Sequence, residues 1–377
     1  MFDNSIHGTC QDRFGAVRLA MAASLAAGSD VGLSFCATIE GETVVDLWGG
    51  HADAAKTRPW QADTIVNVYS TTKTMTALTA LLLADRGDLD FAAPVARYWP
   101  EFAANGKDGV TVAHLMSHSA GLSGWEAPIT TEDFYDWDKV TSLLAAQAPW
   151  WQPGSAPGYH AITQGYLVGE VVRRITGKSL GTVFREEIAE PLGADFHIGL
   201  PASEDHRVAD LIPPPAVAPA DLGEPSPLLI NVMTNPVTNP LESRTRAWRA
   251  AEMPAVNGQG NARSIAQIHV LLANGGVANG KRLLSEAGCR RALEPQIEGV
   301  DLVLGMPVRY GLGFGLAPVI PLPGPSCIFW GGYGGSLAVI DMDARATYAF
   351  AMNRMGVTTI GDERGLGMAM AMWNALS

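Results

Sequence analysis

The sequence predicts an α/β protein of the α+β kind: an antiparallel sheet drawn from both termini and flanked by helices, with a mainly helical domain inserted between. Three observations carry this. β-favouring runs lie near both ends of the chain, at 31–48 and 310–353. From residue 74 to about 205 the pattern is mainly helical. The 377 residues, 47% of them hydrophobic, suffice for one large or two joined domains without stapling. The expected boundaries are 1–88 together with 250–377 for the sheet domain, and 89–249 for the helical one.

Phe14, Val17, Met21 and Leu25 recur at three and four, which predicts an amphipathic helix over 14–27. Val31–Ile39 and Thr43–Trp48 read as a hairpin about Glu40-Gly41-Glu42. Residues 74–86 (TMTALTALLLADR) are Ala/Leu-rich and close on Gly87, a good helix stop. Val110–Ser117 and Thr163–Ile175 are the clearest helices that follow. Residues 212–227 are proline-rich and are expected to form an irregular surface excursion. Ser264 can cap a helix that runs to Leu272 and stops at Asn274-Gly275-Gly276. Strands are expected at Tyr310–Leu316, Ser336–Asp341 and Ala346–Asn353, the last two about Met342-Asp343-Ala344, and a final helix at Leu366–Leu376.

Charge excludes some functions. With 26 Lys+Arg against 38 Asp+Glu the formal net charge is −12, and no basic cluster exists to meet phosphates, so nucleic acid is not an expected partner. No apolar stretch is long enough to cross a bilayer, and Met1–Cys10 has neither the basic residue nor the apolar core of a secretory signal. Cys10, Cys36, Cys289 and Cys327 are far apart and form no C-x-x-C, so neither a disulfide framework nor a zinc knuckle is indicated. Four reduced thiols in a cytoplasmic protein are expected.

The sharpest chemical feature is Ser70-Thr71-Thr72-Lys73, which follows the apolar run Ile65–Tyr69 and opens the 74–86 helix. Residues i and i+3 share a helix face, so the Lys73 amine can reach the Ser70 hydroxyl. A helix start also favours an anion forming at Ser70. Serine needs a base to become a nucleophile, and lysine serves only if burial lowers its pKa. The alternative is a capping serine with a solvated lysine one turn on. Tyr159, on a loop after Gln152-Pro153-Gly154, can point into a cleft and shuttle a proton; equally, it can simply pack the loop. Trp330-Gly331-Gly332-Tyr333 leads into a strand. Its glycines can let a substrate approach the backbone and its edge N–H can hold an oxyanion, or they can serve only a hairpin.

Taken together, Ser70-x-x-Lys73, Tyr159-x-Ala161 and Trp330-Gly331-Gly332, in that order and spacing, resemble the three motifs of serine β-lactamases and penicillin-binding proteins, and within them the class C-like branch known as family VIII carboxylesterases. Supporting stretches span nearly the whole chain: HLMSHSAGL (114–122), the segment 152–180, EEIAEPLGAD (186–195), ARSIAQIHVLLANGG (262–276) and YGLGFGL (310–316). The resemblance implies a β-lactamase-like fold with the active site between a sheet domain and a helical domain. It implies Ser70 as nucleophile, Lys73 as base, Tyr159 as proton relay, and the N–H groups of Ser70 and Tyr333 as oxyanion donors.

Two departures bear on substrate. Penicillin-recognising relatives usually carry Asn where this chain has Ala161, and Lys where it has Trp330, so an amide and a cation that would meet a β-lactam are missing. An indole offers apolar area and one N–H donor instead. Both changes favour a small to medium uncharged ester. Trp330, Gly331, Gly332 and His160, the one histidine placed near the site, are the expected substrate-binding residues. A β-lactamase or D-amino peptidase, an acyltransferase, and an inactive penicillin-binding-like module are the rival readings.

Other patterns carry less. His114-x-x-x-His118 has the i,i+4 spacing of a zinc helix but lacks the Glu of H-E-x-x-H and an evident third ligand, so no metal is expected. There is no G-x-S-x-G. Gly311-Leu312-Gly313-Phe314-Gly315 precedes no helical pattern, which argues against a dinucleotide site, and no cofactor is expected. Trp125, Trp137, Trp150 and Trp151 can wall an acyl pocket or pack a core. Oligomeric state is not legible.

Overall fold

Strands from the two ends of the chain meet in one nine-stranded sheet. The computed structural model describes residues 6–215, 226–318 and 320–376. In chain order the strands of this sheet are β1 (Ile6–Cys10), β2 (Gly32–Ile39), β3 (Glu42–Gly50), β4 (Ile297–Val300), β5 (Pro307–Tyr310), β6 (Gly315–Leu316), β7 (Cys327–Gly331), β8 (Leu337–Asp341) and β9 (Ala346–Met352). Their spatial order is β1-β3-β2-β9-β8-β7-β6-β5-β4, every neighbour antiparallel. The β2–β9 pair joins the N-terminal and C-terminal halves, in register from Leu33↔Met352 to Ile39↔Ala346. A buried hydroxyl pair, Thr38 with Thr347 at 2.6 Å, bridges that seam.

Five helices of twelve residues or more accompany the sheet among the described residues: α1 (Gly15–Ala27), α2 (Thr72–Asp85), α3 (Thr163–Thr176), α4 (Ala262–Ala273) and α5 (Glu363–Asn374). Strands β7, β8 and β9 are buried at every position, inward- and outward-facing alike, so both faces of the sheet are covered. Helix α4 lies on β2, β8 and β9, while α1 and α5 pack against each other and α5 also reaches β8 and β9. Helix α2 is the hub. All residues from Thr72 to Leu83 are buried, and it touches α3 and the short helices Leu180–Phe184 and Glu286–Arg290. That placement removes water from the segment carrying Ser70 and Lys73.

Several elements differ from expectation for local reasons. Tyr310–Leu316 is not one strand but the hairpin β5–β6, because Gly313, at φ +88°, turns the chain against α2; a Cβ there would lie 2.4 Å from that of Ala77. Helix α4 is capped by Asn261, not Ser264, which sits three residues on as the reciprocal partner: Ser264 N–H donates to Asn261 Oδ1 at 2.9 Å, and Asn261 N–H to Ser264 Oγ at 3.1 Å. The helix expected at Val110–Ser117 is confined to Val112–Met116. Of the proline-rich stretch, 216–225 lie outside the described residues, and Pro227 is no loop residue: it opens the helix Pro227–Thr234 behind the cap Ser226. No helix among the described residues is long and apolar enough to cross a membrane.

Candidate active site

Ser70 stands on a 3₁₀ turn, Tyr69–Thr71, that feeds straight into α2. Tyr69 has φ 43°, a left-handed conformation that bulky residues rarely hold. Its surroundings enforce it. The carbonyl accepts from Thr72 Oγ1 at 2.5 Å, and the ring sits edge-on to Trp248 and Tyr333 at 6.2 and 5.5 Å. On the other side, Ser336 Oγ donates to the Val68 carbonyl at 2.7 Å and lies 2.9 Å from Thr71 Oγ1. The turn that follows the third motif, just before β8, is thus bolted to the serine turn.

Lys73 is wholly buried, and its amine lies 3.1 Å from Ser70 Oγ, 2.7 Å from the Ala161 carbonyl and 3.1 Å from the Ala255 carbonyl. Burial holds its pKa well below that of an ordinary lysine. A neutral amine has two N–H donors and one lone pair. Carbonyls only accept, so the two donors go to Ala161 and Ala255, and the lone pair is left for the Ser70 hydroxyl. This is the arrangement a general base requires.

Tyr159 approaches from the opposite side: its hydroxyl lies 2.7 Å from Ser70 Oγ. Burial raises its pKa, so the phenol is the resting form. The ring belongs to an aromatic group with His118 (5.0 Å), Trp330 (5.8 Å) and, through them, Tyr310. His118 stacks on Trp330 at 5.3 Å. Burial keeps its imidazole neutral. The indole N–H of Trp330 is buried and has no hydrogen-bond partner among the described residues. Over this group, the helix 227–234 lays Leu228, Leu229 and Val232.

The N–H groups of Ser70 and Tyr333 carry no hydrogen bond among the described residues. They remain available to an oxyanion.

Three expected substrate contacts are placed otherwise. His160 is fully buried, with Nε2 accepting from Leu122 N–H at 3.0 Å and Nδ1 donating to the Gly158 carbonyl at 2.6 Å. Burial drops its pKa to about 3. Both nitrogens fasten the loop, leaving none for a substrate. Gly331 and Gly332 make room for backbone instead. A Cβ on Gly331 would lie 2.2 Å from Gly361 N, and one on Gly332 would lie 2.2 Å from the Val68 carbonyl oxygen. Gly332→Ala is therefore expected to push the third motif off the serine turn, destabilising by about 1–3 kcal/mol as overpacking does and lowering kcat together with the denaturation midpoint; urea unfolding beside an ester assay checks it.

The helix ends at Met116 and His118 takes φ 58°, so His114 and His118 do not share a face. His114 Nδ1 instead accepts from Thr111 N–H at 3.2 Å. Trp125 and Trp137 pack a core around Tyr166, and Trp151 sits edge-on to His160. Sequence reasoning does not bring His118 or Asp301 to this site. The first was visible only as half of an i,i+4 pair, and the second is 142 residues from the tyrosine whose N–H it binds at 3.0 Å.

Comparisons with known proteins cover nearly the whole chain. A solved structure of a family VIII carboxylesterase is 46% identical and superposes with a TM-score of 0.93, covering 98% of this chain and 99% of that one. A penicillin-binding protein homologue from Caulobacter crescentus is 40% identical at a TM-score of 0.94, covering 99% and 100%. The esterase/beta-lactamase LipL of Mycobacterium tuberculosis is 35% identical over 375 residues, 93% of this chain and 83% of its own. The sequence model of the beta-lactamase family matches residues 18–369. That span takes in the serine turn, the tyrosine loop and the Trp330 strand alike, and the chain belongs to the beta-lactamase family.

Proposed function

We propose that the protein is a serine carboxylesterase that hydrolyses small to medium uncharged esters through an acyl-enzyme. The observation that carries this is the Lys73 amine, dry, with both donors on carbonyls and its lone pair on Ser70. Lys73 takes the Ser70 proton as Oγ bonds to the ester carbonyl carbon. The oxyanion is held by the N–H groups of Ser70 and Tyr333. As the C–O bond breaks, Tyr159 gives its proton to the leaving alkoxide and recovers one from the Lys73 ammonium. Water then attacks the acyl carbon, its proton passes to the same pair, and Ser70 leaves with a proton as the acid is released.

Ester over lactam is supported by the apolar group of Tyr159, Trp330, Tyr310, Val303 and Val308 under Leu228, Leu229 and Val232. At the third-motif position it offers an indole where a carboxylate would seek a cation. The 46% identical neighbour is described as a family VIII carboxylesterase. A panel of p-nitrophenyl esters graded by acyl length, run beside nitrocefin, tests this. Uncharged esters are expected to be turned over with the higher kcat/KM; a preference for nitrocefin overturns it. Tyr159→Phe is expected to lose about 10²–10⁴ in kcat on an alkyl ester with unchanged circular dichroism. We also assign the protein to the cytoplasm, acting on a diffusible small molecule without nucleic acid or membrane. Its net charge of −12 and four unpaired cysteines support this, and cell fractionation tests it.

A further inference from the structure

We propose that Asp301 is a positioning residue for this reaction: its carboxylate holds the Tyr159 backbone where the phenol meets Ser70 Oγ. Asp301 is fully buried on the loop between β4 and β5. Its Oδ1 accepts from the N–H of Tyr159 at 3.0 Å, of Val303 at 2.9 Å and of Leu304 at 2.9 Å, and its Oδ2 accepts from the Tyr310 hydroxyl at 3.1 Å. It has no ion-pair partner among the described residues. A buried carboxylate is costly unless its oxygens are satisfied, and here four donors converge on it.

Two of those bonds, to Val303 and Leu304, shape its own turn and need no further reason. The Tyr159 bond is different, because it crosses from the sheet edge to the loop that carries the proton relay. A second bond runs beside it, Leu302 N–H to the Pro157 carbonyl at 2.9 Å. The tyrosine loop is therefore docked onto residues 301–302 on both sides of Gly158. Tyr310, held by the other carboxylate oxygen, packs on His118 and Trp330, which in turn flank the Tyr159 ring. One carboxylate thus fixes both the backbone of Tyr159 and the aromatic wall behind it. Displacing a reacting group by about 1 Å is enough to cost on the order of 10²-fold in rate.

The inference rests on the esterase reading above, and one panel separates the two. The full chain is compared with Asp301→Ala, Tyr159→Phe and the double variant, on an ethyl ester and on a p-nitrophenyl ester of the same acid. A proton relay matters most when the leaving alkoxide is basic; p-nitrophenolate departs without a proton. Asp301→Ala is expected to lose about 10²-fold in kcat/KM on the ethyl ester and clearly less on the p-nitrophenyl ester, because kcat/KM reads acylation, the step in which the two leaving groups differ. In the Tyr159→Phe background the same change is expected to cost under about threefold, because the group it positions is already gone. Asp301→Asn keeps an oxygen for the three amides and is expected to recover kcat/KM to within about tenfold.

Equal losses in both backgrounds, or equal losses on both esters, overturn the inference. So does an Asn variant as poor as the Ala variant. Should Asp301→Ala fail to fold, Asp301→Ser takes its place in the cycle, since a serine hydroxyl can keep the local turn but is too short to hold Tyr159. Absence of ester turnover in the wild type, or an active Ser70→Ala, sinks the esterase reading itself; an inactive Ser70→Ala with an additive cycle sinks only the role of Asp301.

Discussion

Ser70→Ala is expected to reduce turnover of a short p-nitrophenyl ester by on the order of 10⁴–10⁶-fold and to abolish labelling by a fluorophosphonate. The two groups that act on the proton both converge on one atom. The Lys73 amine is 3.1 Å and the Tyr159 hydroxyl 2.7 Å from Ser70 Oγ, and neither has another acid or base within hydrogen-bonding reach among the described residues. Removing Oγ leaves no atom to carry the acyl group, so no partial mechanism survives on the same residues. The fold should tolerate the change. The Tyr159 hydroxyl loses its partner, a penalty of about 1–3 kcal/mol for a buried polar group, but the turn is held by Ser336, Thr71 and Thr72, none of which is touched. A shifted melting curve with activity near background is the expected pair of results. A folded variant retaining a tenth of wild-type turnover would mean that the nucleophile lies elsewhere.

How much of this was legible in the sequence depends on distance along the chain. Hairpin β2–β3 and helices α1, α2, α3 and α5 arise from periodicity and punctuation within a dozen residues, and the expected boundaries fall within a few residues of those observed. The Ser70–Lys73 contact is of the same kind, since three residues on a helix determine it. By contrast, β1, β4 and β7 carry no clear strand signal: β1 and β4 are short and half-exposed, and β7 is a five-residue apolar run that gains its identity only by pairing with β6 and β8. For Gly331 and Gly332 the sequence shows that a side chain is absent but not what fills the gap, which here is backbone and not substrate. The sequence puts His160 beside Tyr159, yet its nitrogens go to Leu122 and Gly158. Asp301 marks only its own turn in the sequence; the bond that brings it to the site, to Tyr159 N–H, spans 142 residues.

Lys73→Met tests the state of the amine directly. The side chains are of similar length and both unbranched, so the core around α2 keeps its packing, while the base disappears; kcat is expected to fall about 10²–10⁴-fold. Stability should respond to pH with a definite sign. Lys73 has a folded pKa depressed by burial, while an unfolded lysine titrates near about 10.4. Between those values the unfolded chain holds a proton that the folded chain lacks, so raising the pH favours the folded wild type. The stability attached to the group is fully present above the unfolded pKa and is lost as pH falls towards the folded one. Methionine has no such proton but leaves the Ala161 and Ala255 carbonyls without donors. The wild type is therefore expected to gain on Lys73→Met as pH rises from 7 to 10, by at most about 1.4 kcal/mol per unit for a single proton. Urea unfolding of both proteins at matched pH reads the difference. A flat difference over that range would mean that the folded amine keeps its proton, and an ammonium beside Ser70 cannot accept another.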